Sequence, residues 1–170
     1  MANEIYKQHR QTVHIYSDKQ YAAFPQNERT NVILLGGSQS NSVTADIMQR
    51  SPVPVSYKKG TVTVGECQAP TSKNAAALFL TPDEEHLAFV VSASSVGMMR
   101  STIPLLPLHT PYDAFPDYVL IEESREWQGG NAILTAGMWD ALWQEAASAR
   151  FSQCPTFPRP SRTEESTQLW

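Results

Sequence analysis

The chain has 170 residues, 41% of them hydrophobic and 18% charged, with 13 Lys and Arg against 17 Asp and Glu for a net charge of −4. That length suits one domain with a sizeable core. The charge balance lacks the clustered basic surface that a phosphate backbone demands, so nucleic acid is not an expected partner. No apolar run approaches the ~20 residues a helix needs to span a bilayer, so a membrane is not expected either and the chain reads as soluble.

Residues 1–30 read as an extension packing on the domain. Within it, residues 13–16 suit a helix start or an edge strand, and residues 21–29, with Pro25 and Asn27, suit a loop. The apolar run 31–35 then ends in Gly36-Gly37 and the small polar residues Ser38, Gln39, Ser40 and Asn41, the pattern of strand, tight turn and helix start. Ser38, Ser40, Asn41 or Ser42 can cap a helix over 42–49 that buries Val43 and Ile47 and stops before Pro52 and Pro54. Residues 55–65 alternate apolar and polar around Lys59-Gly60, which predicts a hairpin.

Two further apolar runs, 75–80 and 86–92, flank a polar loop at 81–85. The continuous stretch Leu87-Ala-Phe-Val-Val91 predicts a strand buried on both faces. Ser94 or Ser95 can cap a helix through Val96, Met99 and Ile103, and residues 116–121 form another core strand. Residues 132–139 suit either a strand or a helix, whereas Leu142, Trp143, Ala146 and Ala147 have helical spacing. The segment from Pro155 reads as extended or disordered. The alternation predicts an α/β fold, a compact three-layer Rossmann-like or flavodoxin-like module with an inserted hairpin over 31–150, followed by a tail over 151–170.

Chemistry concentrates at the glycine turn. Gly36-Gly-Ser-Gln-Ser40 is one residue short of the G-x-S-x-G elbow, with Ser40 in place of the last glycine. An enzymatic reading makes Ser38 the nucleophile, with Asp83 and His109 completing a triad. Only about 35 residues precede the turn, too few for the strands a hydrolase sheet places before its elbow. The alternative is a binding site for a small anion or a sugar hydroxyl at Gly36, Gly37, Ser38, Ser40 and Asn41, using N–H groups at a helix start. No further glycine follows Gly37 until Gly60, which removes the dinucleotide fingerprint, so no NAD, FAD or other cofactor is expected.

His9, His14 and His86 are scattered, and no metal-ligand spacing exists, so no metal is expected. Asp83-Glu84-Glu85 reads as a solvated turn and Met98-Met99 as core. The two cysteines, Cys67 and Cys154, leave a disulfide open, with free thiols the favoured reading. Trp127, Trp139 and Trp143 read first as core anchors. Trp139 and Trp143 are also the candidates for a contact surface.

The segments Asn31-Val-Ile-Leu-Leu-Gly-Gly-Ser-Gln-Ser-Asn-Ser-Val-Thr-Ala45, Leu87-Ala-Phe-Val-Val-Ser-Ala93, Pro116-Asp-Tyr-Val-Leu-Ile121, Trp127-Gln-Gly-Gly and Leu134-Thr-Ala-Gly-Met-Trp-Asp140 together resemble a C-terminal module of large serine-hydrolase proteins. These are fungal and bacterial proteins of the prolyl-oligopeptidase or esterase type. The resemblance covers about residues 5–143 and implies a non-catalytic accessory or interaction domain. Its implied partner is a serine-hydrolase domain in the same chain or another, met through Trp139 and Trp143, with homo-oligomerisation as the alternative. Residues 1–10 lack the apolar stretch of a signal peptide. A secreted location follows if the chain is a fragment of such a protein.

Overall fold

The computed structural model describes Ile5 and residues 12–58, 61–69, 74–102, 115–123 and 132–154. Ser17 opens the short helix α1 (Asp18–Ala22) through a reciprocal cap in which Gln20 N donates to Ser17 Oγ and Ser17 N donates to Gln20 Oε1. A 3-10 turn (Gln26–Glu28) leads to strand β1 (Val32–Leu35) and then helix α2 (Ser42–Arg50). Strands β2 (Val55–Lys58), β3 (Thr61–Val64) and β4 (Cys67–Gln68) form a small antiparallel sheet, so the expected hairpin is present.

Next come β5 (Ala75–Asp83), β6 (His86–Ala93), helix α3 (Val96–Ser101), β7 (Tyr118–Glu122), β8 (Ile133–Trp139) and β9 (Glu145–Ser152). The main sheet runs β1-β6-β5-β7-β8-β9. Only β1 and β6 pair in parallel among the described strands, and every other neighbour is antiparallel.

This topology overturns the expected three-layer Rossmann-like or flavodoxin-like α/β module. That architecture needs parallel strands joined by helical crossovers. Here β5 returns directly as β6, with Asp83 opposite His86 across a two-residue turn. The molecule is a predominantly β structure with short helices on its faces.

Two elements differ from the sequence reading for local reasons. The supposed loop at 81–85 belongs largely to β5, because Thr81, Pro82 and Asp83 pair with Ala88, Leu87 and His86. The helical spacing after Asp140 does not form a helix: Asp140 Oδ1 accepts from Leu142 N and Gln144 N, and Asp140 N donates to Gln144 O at 2.7 Å, closing a turn into β9. Residues 12–17 have no regular structure, and the described chain beyond residue 150 completes β9 and reaches Cys154.

Side-chain alternation sends two sets of residues to opposite faces of the main sheet. One face holds Ala77, Phe79, Val90, Tyr118 and Leu120, covered by Val43 and Ile47 of α2 and by Val55, Val62 and Val64 of the small sheet. On the other, Val119, Ile121, Leu78 and Val91 meet Met98 and Met99 of α3 and Phe115. This double cover buries Ala88, Val90 and Val91 of β6 but leaves Leu87 exposed, so the expected burial on both faces holds for only part of that run.

Cys67 and Cys154 form a disulfide, with Cα atoms 5.7 Å apart, that ties β4 to the chain just past β9. Free thiols were the favoured expectation. The pairing is set by the packing of the small sheet against the main one, which places residues 87 positions apart side by side.

Candidate functional site

The parallel pair β1 and β6 ends at the glycine turn. Gly36 N donates to Val91 O at 2.9 Å, and Gly36 then adopts φ +111°, a backbone region open to glycine. Gly37 passes so close to its neighbours that a Cβ there would lie 2.6 Å from Ser92 Oγ and 2.8 Å from Tyr57 Cε1. The paired glycines therefore answer two different demands, one of backbone angle and one of space.

The turn is cross-braced. Ser40 N and Asn41 N donate to Gly37 O, and Asn41 Nδ2 donates to Leu35 O at 3.2 Å. Asn41 is the helix cap, its Oδ1 accepting from Val43 N and Thr44 N at 3.0 and 3.1 Å. Buried Thr44 donates its hydroxyl to Gly36 O at 2.9 Å. The remaining α2 amide on this side, Ser42 N, donates to Asp18 Oδ2, which also accepts from Ser42 Oγ at 2.8 Å. These bonds from the Ser42 hydroxyl and amide hold the Asp18 carboxyl below its ordinary pKa.

Beyond the turn lies a cleft of about 330 Å3 whose polar lining comes from Gln39 and Ser40 after Gly37, from Tyr57 and Thr61 of the hairpin, and from Ser92 and Ser94 at the end of β6, with Val62, Ala69, Ala75 and Ala93 as its apolar lining. Its position outside the carboxyl ends of a parallel pair is the one α/β sheets use for ligands. Tyr57 Oη is buried without a partner that meets hydrogen-bond geometry. Burial pushes the phenol up to about 12, opposed by the Ser92 hydroxyl.

Of the ligand residues expected from sequence, Gly37 and Ser40 line the cleft directly, while Gly36 and Asn41 build the turn. Tyr57, Thr61, Ser92 and Ser94 were missed. Their only sequence signal is hydroxyls at strand ends, which acquires meaning once the hairpin is placed over the glycine turn.

Of the expected triad, Ser38 and Asp83 are not brought together. Ser38 is half-buried on the turn, four residues before α2 begins, so the corner between strand and helix belongs to Asn41. Asp83 is buried at the far end of β5, where it pairs with Arg50 at 3.3 Å. From its partner His86 to Val91 at the turn is five residues of β6, about 17 Å at ~3.3 Å per residue. His109 and Trp127 lie outside the described residues.

Trp139 is buried, stacks on Tyr118 at 4.3 Å between centroids and donates Nε1–H to Leu80 O at 2.9 Å, so it anchors the core. Trp143 is half-buried against the same cluster, with φ +61°. Among the described residues no three His, Cys, Asp or Glu side chains gather as metal ligands. No helix there is long and apolar enough to cross a membrane.

The chain is similar to an uncharacterized secreted protein of Arthroderma benhamiae, with 26% identity over 125 residues. That match covers 72% of this chain and 13% of that protein, so the chain spans about an eighth of its relative's length. No family model matches the chain, and no solved structure matches it.

Proposed function

We propose that this chain is a non-catalytic, ligand-binding module of a larger secreted protein. The observation that carries the proposal is the cleft itself: a braced glycine turn, the tip of a parallel strand pair and a hairpin converge on one concave space of mixed hydroxyl and apolar lining. The separation of Ser38 from Asp83 supports a binding role over a hydrolytic one. The disulfide suits an oxidising compartment, which agrees with the name of the secreted relative. The small share of that relative's length leaves room for other domains. On the strength of the motif resemblance, a serine-hydrolase domain is the proposed neighbour, in the same chain or another.

Saturation-transfer NMR against a set of small sugars, carboxylates and phosphates tests the binding role. At least one compound is expected to bind the wild type and to lose its signal in Gln39→Trp, which blocks the cleft from an exposed position. No binder, or binders indifferent to Gln39→Trp, would overturn the reading. The neighbour is tested separately by the upstream coding sequence, which is expected to hold an α/β-hydrolase domain with its own complete elbow.

A further inference from the structure

We infer that the cleft takes a neutral, hydroxyl-rich ligand of about monosaccharide size, an inference that rests on the binding role proposed above. Its described lining carries no charged side chain. Beside the apolar Val62, Ala69, Ala75 and Ala93 it offers the hydroxyls of Ser40, Thr61, Ser92 and Ser94, each able to donate one hydrogen bond and accept others, and the Gln39 amide. Ligand hydroxyls have the same dual character, whereas an anion requires donors alone and gains most from Arg or Lys.

The helix start, the natural place for an anion, is already filled. Asn41 Oδ1 takes Val43 N and Thr44 N, and the Asp18 carboxylate takes Ser42 N. The molecule thus supplies its own anion at α2, and a second one would meet like charge where it would otherwise find N–H groups.

The unused hydrogen-bonding capacity lies around the cleft. Among the described residues the Thr61 hydroxyl and the Gln39 amide make no intramolecular bond. Ser94 Oγ accepts from Ala75 N and donates to Asn74 Oδ1, and so offers only its remaining lone pair. Ser92 sits between two roles: it lines the cleft and faces the Tyr57 phenol, which stays protonated at neutral pH. The volume of about 330 Å3 is at the lower end of the ~300–1,000 Å3 typical of ligand pockets, which limits the ligand to about one sugar ring.

Calorimetric titration of the chain with D-glucose, D-galactose and N-acetyl-D-glucosamine, and in parallel with inorganic phosphate and acetate, separates the possibilities. At least one sugar is expected to bind, with affinity little changed by added salt, and Ser92→Ala and Gln39→Ala should each weaken it about fivefold, the loss of one hydrogen bond. Gln39 is exposed, so its variant reports on binding independently of folding. Phosphate or acetate binding without sugar binding would overturn the neutral-ligand inference and leave the binding role standing. Silence from every probe here and in the NMR set would overturn both.

Discussion

A single methyl group would not fit at Gly37, because Ser92 Oγ and the Tyr57 ring already occupy the space a Cβ would enter. Gly37→Val should therefore cost about 2–3 kcal/mol by overpacking, read as a fall in melting temperature of at least about 5 °C. An unchanged melting temperature would contradict the close approach. Tyr57 has the opposite character. Its buried hydroxyl lacks a well-formed bond, so Tyr57→Phe keeps the ring and removes an unsatisfied group. The variant should be at least as stable as wild type at pH 7. The phenol also carries a pH signature: folding raises its pKa from 10.0 to about 12, so its contribution is full below pH 10 and is lost as pH rises towards 12. Tyr118, raised by burial and then by Glu145, acts in the same direction. Thermal melts between pH 9 and 12 should show a steeper decline for wild type than for Tyr57→Phe, and equal slopes would remove Tyr57 from the account.

At the scale of elements, the turn between β1 and α2 is held by one side chain more than any other. Asn41 caps two amides of α2 and ties the turn back to Leu35 O. Asn41→Ala should destabilise the domain by about 1–2 kcal/mol, measurable by urea denaturation as a lower midpoint at unchanged slope. This element was readable from sequence because its signals are local: an apolar run, paired glycines and a capping residue within a dozen positions. The β2–β3 hairpin was readable for the same reason. The β5–β6 and β8–β9 connections were not, since they place Glu84 at φ 56° and Trp143 at φ 61°. Glycine or asparagine at those positions would have announced a turn. Without them, Thr81–Pro82 read as loop and Ala146–Ala147 as helix.

For the whole molecule, the sheet order was beyond local reading. β1 pairs with β6 across the intervening hairpin and β5, and nothing in residues 32–35 names residues 88–91 as their partners. Apolar runs covered on both faces resemble buried parallel strands, yet here the cover comes from α2 and the small sheet on one side and α3 with Phe115 on the other. The cleft shared this fate: its glycine half was legible, and its Tyr57 and Ser92 half depended on how the sheets stack. The disulfide is likewise a product of tertiary packing. With its cysteines 87 positions apart, it should contribute about 4–5 kcal/mol by restricting the unfolded chain. Reduction, or the Cys67→Ser/Cys154→Ser pair, should lower the urea midpoint accordingly. A change under 1 kcal/mol would show that the link is dispensable.

The central claim is that ligand binding and the glycine turn share one place in the fold. Backbone amide mapping by 15N–1H correlation spectra, recorded while the best-binding small molecule from the NMR screen is titrated in, tests it most directly. The account predicts shifts concentrated at Gly36, Gly37, Gln39, Tyr57, Thr61 and Ser92, with Asp83, Trp139 and Glu145 unmoved. Shifts centred on the Asp83 or Trp139 end of the sheet, with the turn silent, would contradict it.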